Sequence, residues 1–162
     1  MRLRSVGAAA ALLVGVLSLG GFGGSEASSA GAAPACASEV TTKVLPRWAR
    51  AGFSGSDPRM PYELGRNGGI AAIVFGYPLL SPPAKERANK ILWVERRLSR
   101  RPTALWIHAQ RMTRSRAVGS AVTRVVAGGP GPSIVNLPVA GCWRFTLTWS
   151  GRSDTLDLEY LR

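Results

Sequence analysis

"PVAGCWRFTLTWSGRSDTLDLEYLR", residues 138–162, decides the fold. Trp143, Phe145, Leu147 and Trp149 fall on one side of an extended chain, and Arg144, Thr146 and Thr148 fall on the other, because successive strand side chains point to opposite faces. "SGRSD" turns the chain, after which Leu156, Leu158 and Tyr160 alternate with Asp157 and Glu159. An antiparallel strand with one buried face needs this alternation. A slip of one residue would put two tryptophans and a phenylalanine into water. The stretch therefore predicts a closing β-hairpin whose aromatic side forms core.

Five more strand-length segments lie upstream: "IAAIVFGY" (70–77), "KILWVER" (90–96), "ALWIHAQRM" (104–112), "AVTRVVA" (121–127) and "PSIVNLP" (132–138). Each ends at glycine, proline or a charged cluster, as strands do. With the hairpin this makes about seven strands and almost no helix, which predicts an all-β antiparallel β-sandwich, with a small barrel as the alternative. Residues 36–69 read as an irregular amino-terminal segment packing on a core of residues 70–162. Within it, "LPRWARAGF" (45–53) offers one helical turn opened by Pro46, and "SGSDPRMPYELGRNGG" (54–69) is built from turn residues.

The first 35 residues have the order of a secretory signal peptide: Arg2 and Arg4, an apolar "VGAAAALLVGVLSLGGFGG" (6–24), then the small-residue tail "SEASSAGAAPA" (25–35). The rival is an uncleaved membrane anchor, but the apolar run is Gly-rich at its end and short of a comfortable span of ~20 residues. Cleavage after Ala32 or Ala35 fits the small-residue rule. Residues 36–162 then make one domain of ordinary size, expected outside the cell or at the cell envelope.

Removing that leader moves the net charge only from +12 to +11, nearly all of it arginine. Such a charge favours anionic partners: wall polymers, phospholipid headgroups, acidic glycans or nucleic acid. An extracellular protein bound through the loops is the competing kind of partner. The basic residues are scattered except for "RRLSRR" (96–101), where Arg96, Arg97, Arg100 and Arg101 form either a polyanion contact or a solvated loop. No aromatic–basic motif accompanies them, so no specific nucleic acid is expected.

Cys36 and Cys142 are the only cysteines. An even count in an exported chain favours a disulfide, here tying the mature amino terminus to the start of the closing hairpin. The alternation puts Cys142 opposite Trp143, so its thiol should point outward to a segment lying over the sheet. Two readings compete with the bridge: a lipid anchor on Cys36, although Ala33 stands where a lipobox wants a branched apolar residue, and two free thiols.

Catalytic machinery is thinly supplied, and no catalytic residue, metal or cofactor is expected. His108 is the only histidine, on a strand face with Trp106 and Gln110. "GFSGS" (52–56) carries serine where a nucleophile elbow needs its second glycine. "AGGPGPS" (127–133) lacks the Lys-Ser/Thr ending of a phosphate loop. Cys36, Cys142 and His108 lack the paired short spacing of a zinc site. Asp157 and Glu159 read as balancing arginines across the ladder, with Arg144 the candidate partner. Trp48, Tyr77, Trp106 and His108 are the candidates for a ligand-facing surface, since flat exposed rings stack on sugars.

"AGCWRFTLTW" followed by a short turn and "DTLDLEYL" resembles the last two strands of bacterial Ig-like domains. Together with "YELGRNGGI" (62–70), "NKILW" (89–93), "GPSIVNLP" (131–138) and "GCW" (141–143), the order of motifs is similar to an uncharacterised family of bacterial secreted proteins and lipoproteins. The resemblance implies an extracytoplasmic Ig-like fold and brings no catalytic residues with it. Unlike the lipoprotein members, this chain has no clear lipobox.

Overall fold

A computed structural model describes residues 36–162; the leader expected over 1–35 lies outside them. The chain builds two β-sheets packed face to face. The first contains β1 (Thr41–Val44), β2 (Arg59–Leu64), β3 (Ile70–Val74), β5 (Lys90–Glu95) and β9 (Pro132–Ile134), in that spatial order. The second runs β4 (Leu79–Leu80), β11 (Arg152–Leu161), β10 (Gly141–Trp149), β6 (Leu105–Thr113) and β7 (Arg116–Ala117), with β8 (Val122–Val126) also paired to β6. Neighbouring strands are antiparallel except for β4, which lies parallel to β11. The architecture is an all-β sandwich, and each of the seven segments marked by alternation contains a strand.

Four further strands appear where alternation is weak. β4 and β7 span two residues each, and β1 spans four. β2, "RMPYEL", carries Pro61 and two charged residues, which is why 36–69 reads as irregular. The finding corrects that expectation: the segment supplies two strands of the first sheet, and the division at residue 70 falls inside it. The single turn expected after Pro46 is present as a 3-10 helix, Arg47–Ala49.

β10 and β11 pair from Gly141–Tyr160 to Trp149–Arg152, so Trp143, Phe145, Leu147 and Trp149 share a face with Leu156, Leu158 and Tyr160. All seven are buried. They meet Leu105 and Ile107 of β6 and, from the opposite sheet, Ile70, Ala72, Val74, Ile91 and Trp93. The Trp93 and Phe145 rings lie tilted with centroids 6.0 Å apart. Tyr160 keeps its hydroxyl satisfied by donating to the Val135 carbonyl at 2.8 Å.

β3 is buried on both faces. Its inner side joins the main core, while Ala71 and Ile73 pack outward against Leu45, Ala49 and Tyr62, with Trp48 and Phe53 at the margin. The amino-terminal segment thus forms a lid of its own over the first sheet. It reaches there from the other sheet: Cys36 is disulfide-bonded to Cys142 on the outer face of β10, Ser38 and Glu39 are held by Glu63 of β2, and Thr41 opens β1 opposite Tyr62. Cys142 does face away from Trp143, and it is buried because this strap covers it.

Candidate functional site

The site forms where β5 ends and the β2–β3 and β10–β11 turns come together. Glu95, the last residue of β5, accepts four kinds of donor: the Ser99 backbone N–H at 3.0 Å, the Ser99 hydroxyl at 2.8 Å, the Trp149 indole N–H at 2.9 Å and the Arg152 guanidinium at 3.0 Å. Burial works against its charge, yet the hydrogen bonds from Ser99 and Trp149 and the charge of Arg152 together hold the carboxyl below its ordinary value. One carboxylate thereby fixes the loop 96–99 to the closing hairpin. Arg152 also donates to the Arg97 carbonyl, and Thr103 and Ser150 exchange two hydrogen bonds at 2.8 and 3.1 Å. The loop is anchored at both ends.

The β2–β3 turn is fixed from below. Asp154 sits on the inner face of β11, fully buried, and accepts from the backbone N–H groups of Asn67 at 2.9 Å, Gly69 at 2.8 Å and Thr155 at 2.8 Å. Gly65 is required there because a Cβ would run into the Asp154 carboxylate, and Gly68 adopts φ +64°, a conformation glycine accepts at little cost. The Arg96 N–H donates to the Gly69 carbonyl at 2.9 Å, joining the two loops.

Between them lies a cleft of about 240 Å³ lined by Asn67, Gly68, Gly69, Arg96, Arg97 and Arg152. A second, shallower hollow of about 420 Å³ shares Arg152 and extends past Ser150 and Thr148 to Trp106. Trp106 is half-exposed on the outer face of β6, opposite Thr148 of β10 and Val125 of β8. A trio of guanidinium groups and an open indole therefore border one continuous end of the sandwich. The first cleft offers cations and an amide, and its lining side chains include no nucleophile or carboxylate. Guanidinium groups suit phosphate, sulfate and carboxylate oxygens, which they bind through paired N–H donors.

The ion pairs among the described residues join Arg50 to Asp57, Arg66 and Arg144 to Asp157, and Arg152 to Glu95. Arg96, Arg97, Arg100 and Arg101 have no acidic partner in that set and are exposed. Of the four arginines singled out in the sequence, the structure brings Arg96 and Arg97 into the cleft and leaves Arg100 and Arg101 on the loop beyond it.

The ligand-surface candidates divide. Trp106 borders the hollow. His108 is exposed two residues further along the same face, between Thr146 and Thr123, with no carboxylate paired to it among the described residues. Tyr77 is exposed beyond β3 but lines neither cleft, and Trp48 is half-buried in the outer cluster. The acidic trio of the closing hairpin separates too: Asp154 faces inward under the turn, Asp157 is paired with Arg144, and Glu159 is exposed. No group of three or more His, Cys, Asp or Glu side chains is placed to hold a metal ion, among the described residues.

Sequence reasoning missed Arg152, Asn67 and the Gly68–Gly69 floor. The available signal was the register of the hairpin, since Arg152 stands opposite Trp149 at the end where β5 stops.

No protein-family model, curated protein or solved structure matches the chain. The class defined by the fold and the site is a two-sheet β-sandwich with an internal disulfide and an arginine-lined end. The disulfide is compatible with a location outside the cytoplasm, and no helix among the described residues is long and apolar enough to cross a membrane.

Proposed function

We propose that this is an exported, non-enzymatic Ig-like domain that binds anionic groups at the cell envelope: wall polymer, lipid headgroup or acidic glycan. One observation carries the reading. Arg96 and Arg97 are set without acidic partners against Arg152 in a cleft whose two walls are fixed by Glu95 and Asp154. The backbone that carries Arg96 and Arg97 is held through the Arg96 N–H and the Arg97 carbonyl, so binding has to order their side chains but not the loop. The sequence order of a signal peptide, the disulfide and the resemblance to bacterial secreted Ig-like proteins support the envelope as the place of action.

The test is retention on immobilised polyphosphate and on a uronic-acid polysaccharide over a salt series. Binding should weaken steeply as salt rises, and Arg96→Gln with Arg97→Gln should weaken it by about tenfold, at a few tenths to one kcal/mol or more per exposed charge. Equal retention of the parent and the double variant would remove the cleft from the reading. Association that survives high salt would instead favour a protein partner bound through the loops.

A further inference from the structure

We infer that the partner is an anionic phospholipid surface, and that the loop 96–101 docks on it with Leu98 entering the headgroup layer. The inference rests on the envelope-binding reading above and narrows it to one class of partner. Leu98 is 88 % exposed, more than any other large apolar side chain described. A single exposed leucine is ordinary on a protein surface; the setting of this one is not. Arg96 and Arg97 precede it and Arg100 and Arg101 follow Ser99, so that two arginines flank the apolar tip on each side.

The loop is also held in shape. Ser99 is tied to Glu95 through both its N–H and its hydroxyl, which closes Glu95–Ser99 into a turn with Leu98 at its outer end. Leu98 lies in none of the apolar clusters of the fold. A soluble polyanion would engage the guanidinium groups and gain nothing from a leucine between them. A bilayer gains from both: its anionic headgroups attract arginines near the surface, and its interface accepts apolar side chains on a basic element. Trp106 borders the hollow that adjoins the same end through Arg152, and half-exposed tryptophan is enriched at membrane interfaces.

The experiment uses naturally processed protein, its amino terminus first read by intact mass, in co-sedimentation with vesicles. Phosphatidylglycerol in phosphatidylcholine is compared with phosphatidylcholine alone, and soluble polyphosphate is titrated separately. The expected result is binding to the anionic vesicles only. Leu98→Ser should lower that partitioning by about tenfold, the worth of burying most of a leucine, and leave polyphosphate binding unchanged. Leu98→Ile, which keeps the apolar bulk, should restore the partitioning.

Equal vesicle binding by the parent and Leu98→Ser would overturn the insertion. Polyphosphate binding without vesicle binding would overturn the lipid partner while sparing the envelope reading. Binding to neither probe would overturn the lipid partner, and failure on the uronic-acid polysaccharide as well would end the envelope reading.

Discussion

Arg144 and Asp157 stand opposite each other in the β10–β11 ladder, and the guanidinium grips both carboxylate oxygens, Nε to Oδ1 at 2.9 Å and Nη2 to Oδ2 at 3.0 Å. Arg66 reaches the same Oδ2 at 2.9 Å from the β2–β3 turn. Asp157 is only 2 % exposed although it lies on the outer face of its sheet. The pairing raises the Arg144 pKa, with burial opposing. Removing Arg144 leaves the buried Asp157 carboxylate with only the half-exposed Arg66 guanidinium as an ion-pair partner, a smaller loss than full unpairing. Arg144→Ala should therefore cost about 2–4 kcal/mol in urea unfolding. Arg66→Ala should cost under about 1 kcal/mol, because that side chain is half in solvent and contributes as surface pairs do.

Glu63 gives the fold a pH dependence of unusual sign. Burial pushes its carboxyl up from 4.5 to about 7, against hydrogen bonds from the Ser38 hydroxyl and the backbone N–H groups of Glu39 and Asp157, and the nearby Asp157 charge adds to the rise. The folded protein thus holds a proton there that the unfolded chain gives up. That contribution is complete below about pH 4.5 and is lost as pH rises to about 7, a fall of about 3 kcal/mol. Glu95, held below its ordinary value, acts in the opposite sense, and its contribution disappears only in more acidic solution. Urea midpoints from pH 4.5 to pH 8 should drop in the parent, and the drop should flatten in Glu63→Gln, whose amide oxygen still accepts from the strap.

The core was legible because alternation is a local property. Each of Trp143, Phe145, Leu147, Leu156 and Leu158 declares its face through its immediate neighbours, and Arg144 could be set against Asp157 once the hairpin was placed. The strap and the cleft were not legible to the same degree. β2 conceals its period behind Pro61 and Glu63, and its register comes from Ala71 and Ile73, whose outer side needs a cover that periodicity does not name. Arg96 and Arg97 were visible as a charge run, but Arg152 joins them only because Glu95 binds Ser99 and Arg152 together across 57 positions of sequence. Asp154 was not legible at all, because its partners are the backbone N–H groups of Asn67, Gly69 and Thr155, which no residue pattern reveals.

Gly65 tests that last relationship. An added Cβ would meet the Asp154 carboxylate, with Oδ1 at 2.7 Å and its other atoms nearer still. The carboxylate cannot retreat without releasing Asn67 and Gly69. Gly65→Ala should cost about 1–3 kcal/mol as an overpacked site, and it should also weaken anion binding, since the displaced turn forms one wall of the cleft. Gly151→Ala makes the control: it has open space around it but φ +72°, so it should cost about 1 kcal/mol through backbone strain alone and leave the turn intact. Thermal unfolding and polyphosphate titration of both variants separate the two effects.

The disulfide is the largest single covalent constraint. It closes a loop across 106 positions, and a cross-link of ~100 residues is worth up to about 4.7 kcal/mol through the entropy it removes from the unfolded chain. The folded state depends on it as well, because the strap behind Cys36 carries Ser38 and Glu39 to Glu63 and then feeds β1. Cys142→Ser should lower the urea midpoint sharply under non-reducing conditions, and Cys36→Ser should match it. Reductant should lower the midpoint of the parent to the level of either variant and leave the variants where they are. An unchanged midpoint in Cys142→Ser would mean that β1 and the Glu63 contacts hold the strap without the bridge. In that case Glu63→Ala, made in the Cys142→Ser background, should be the change that frees it.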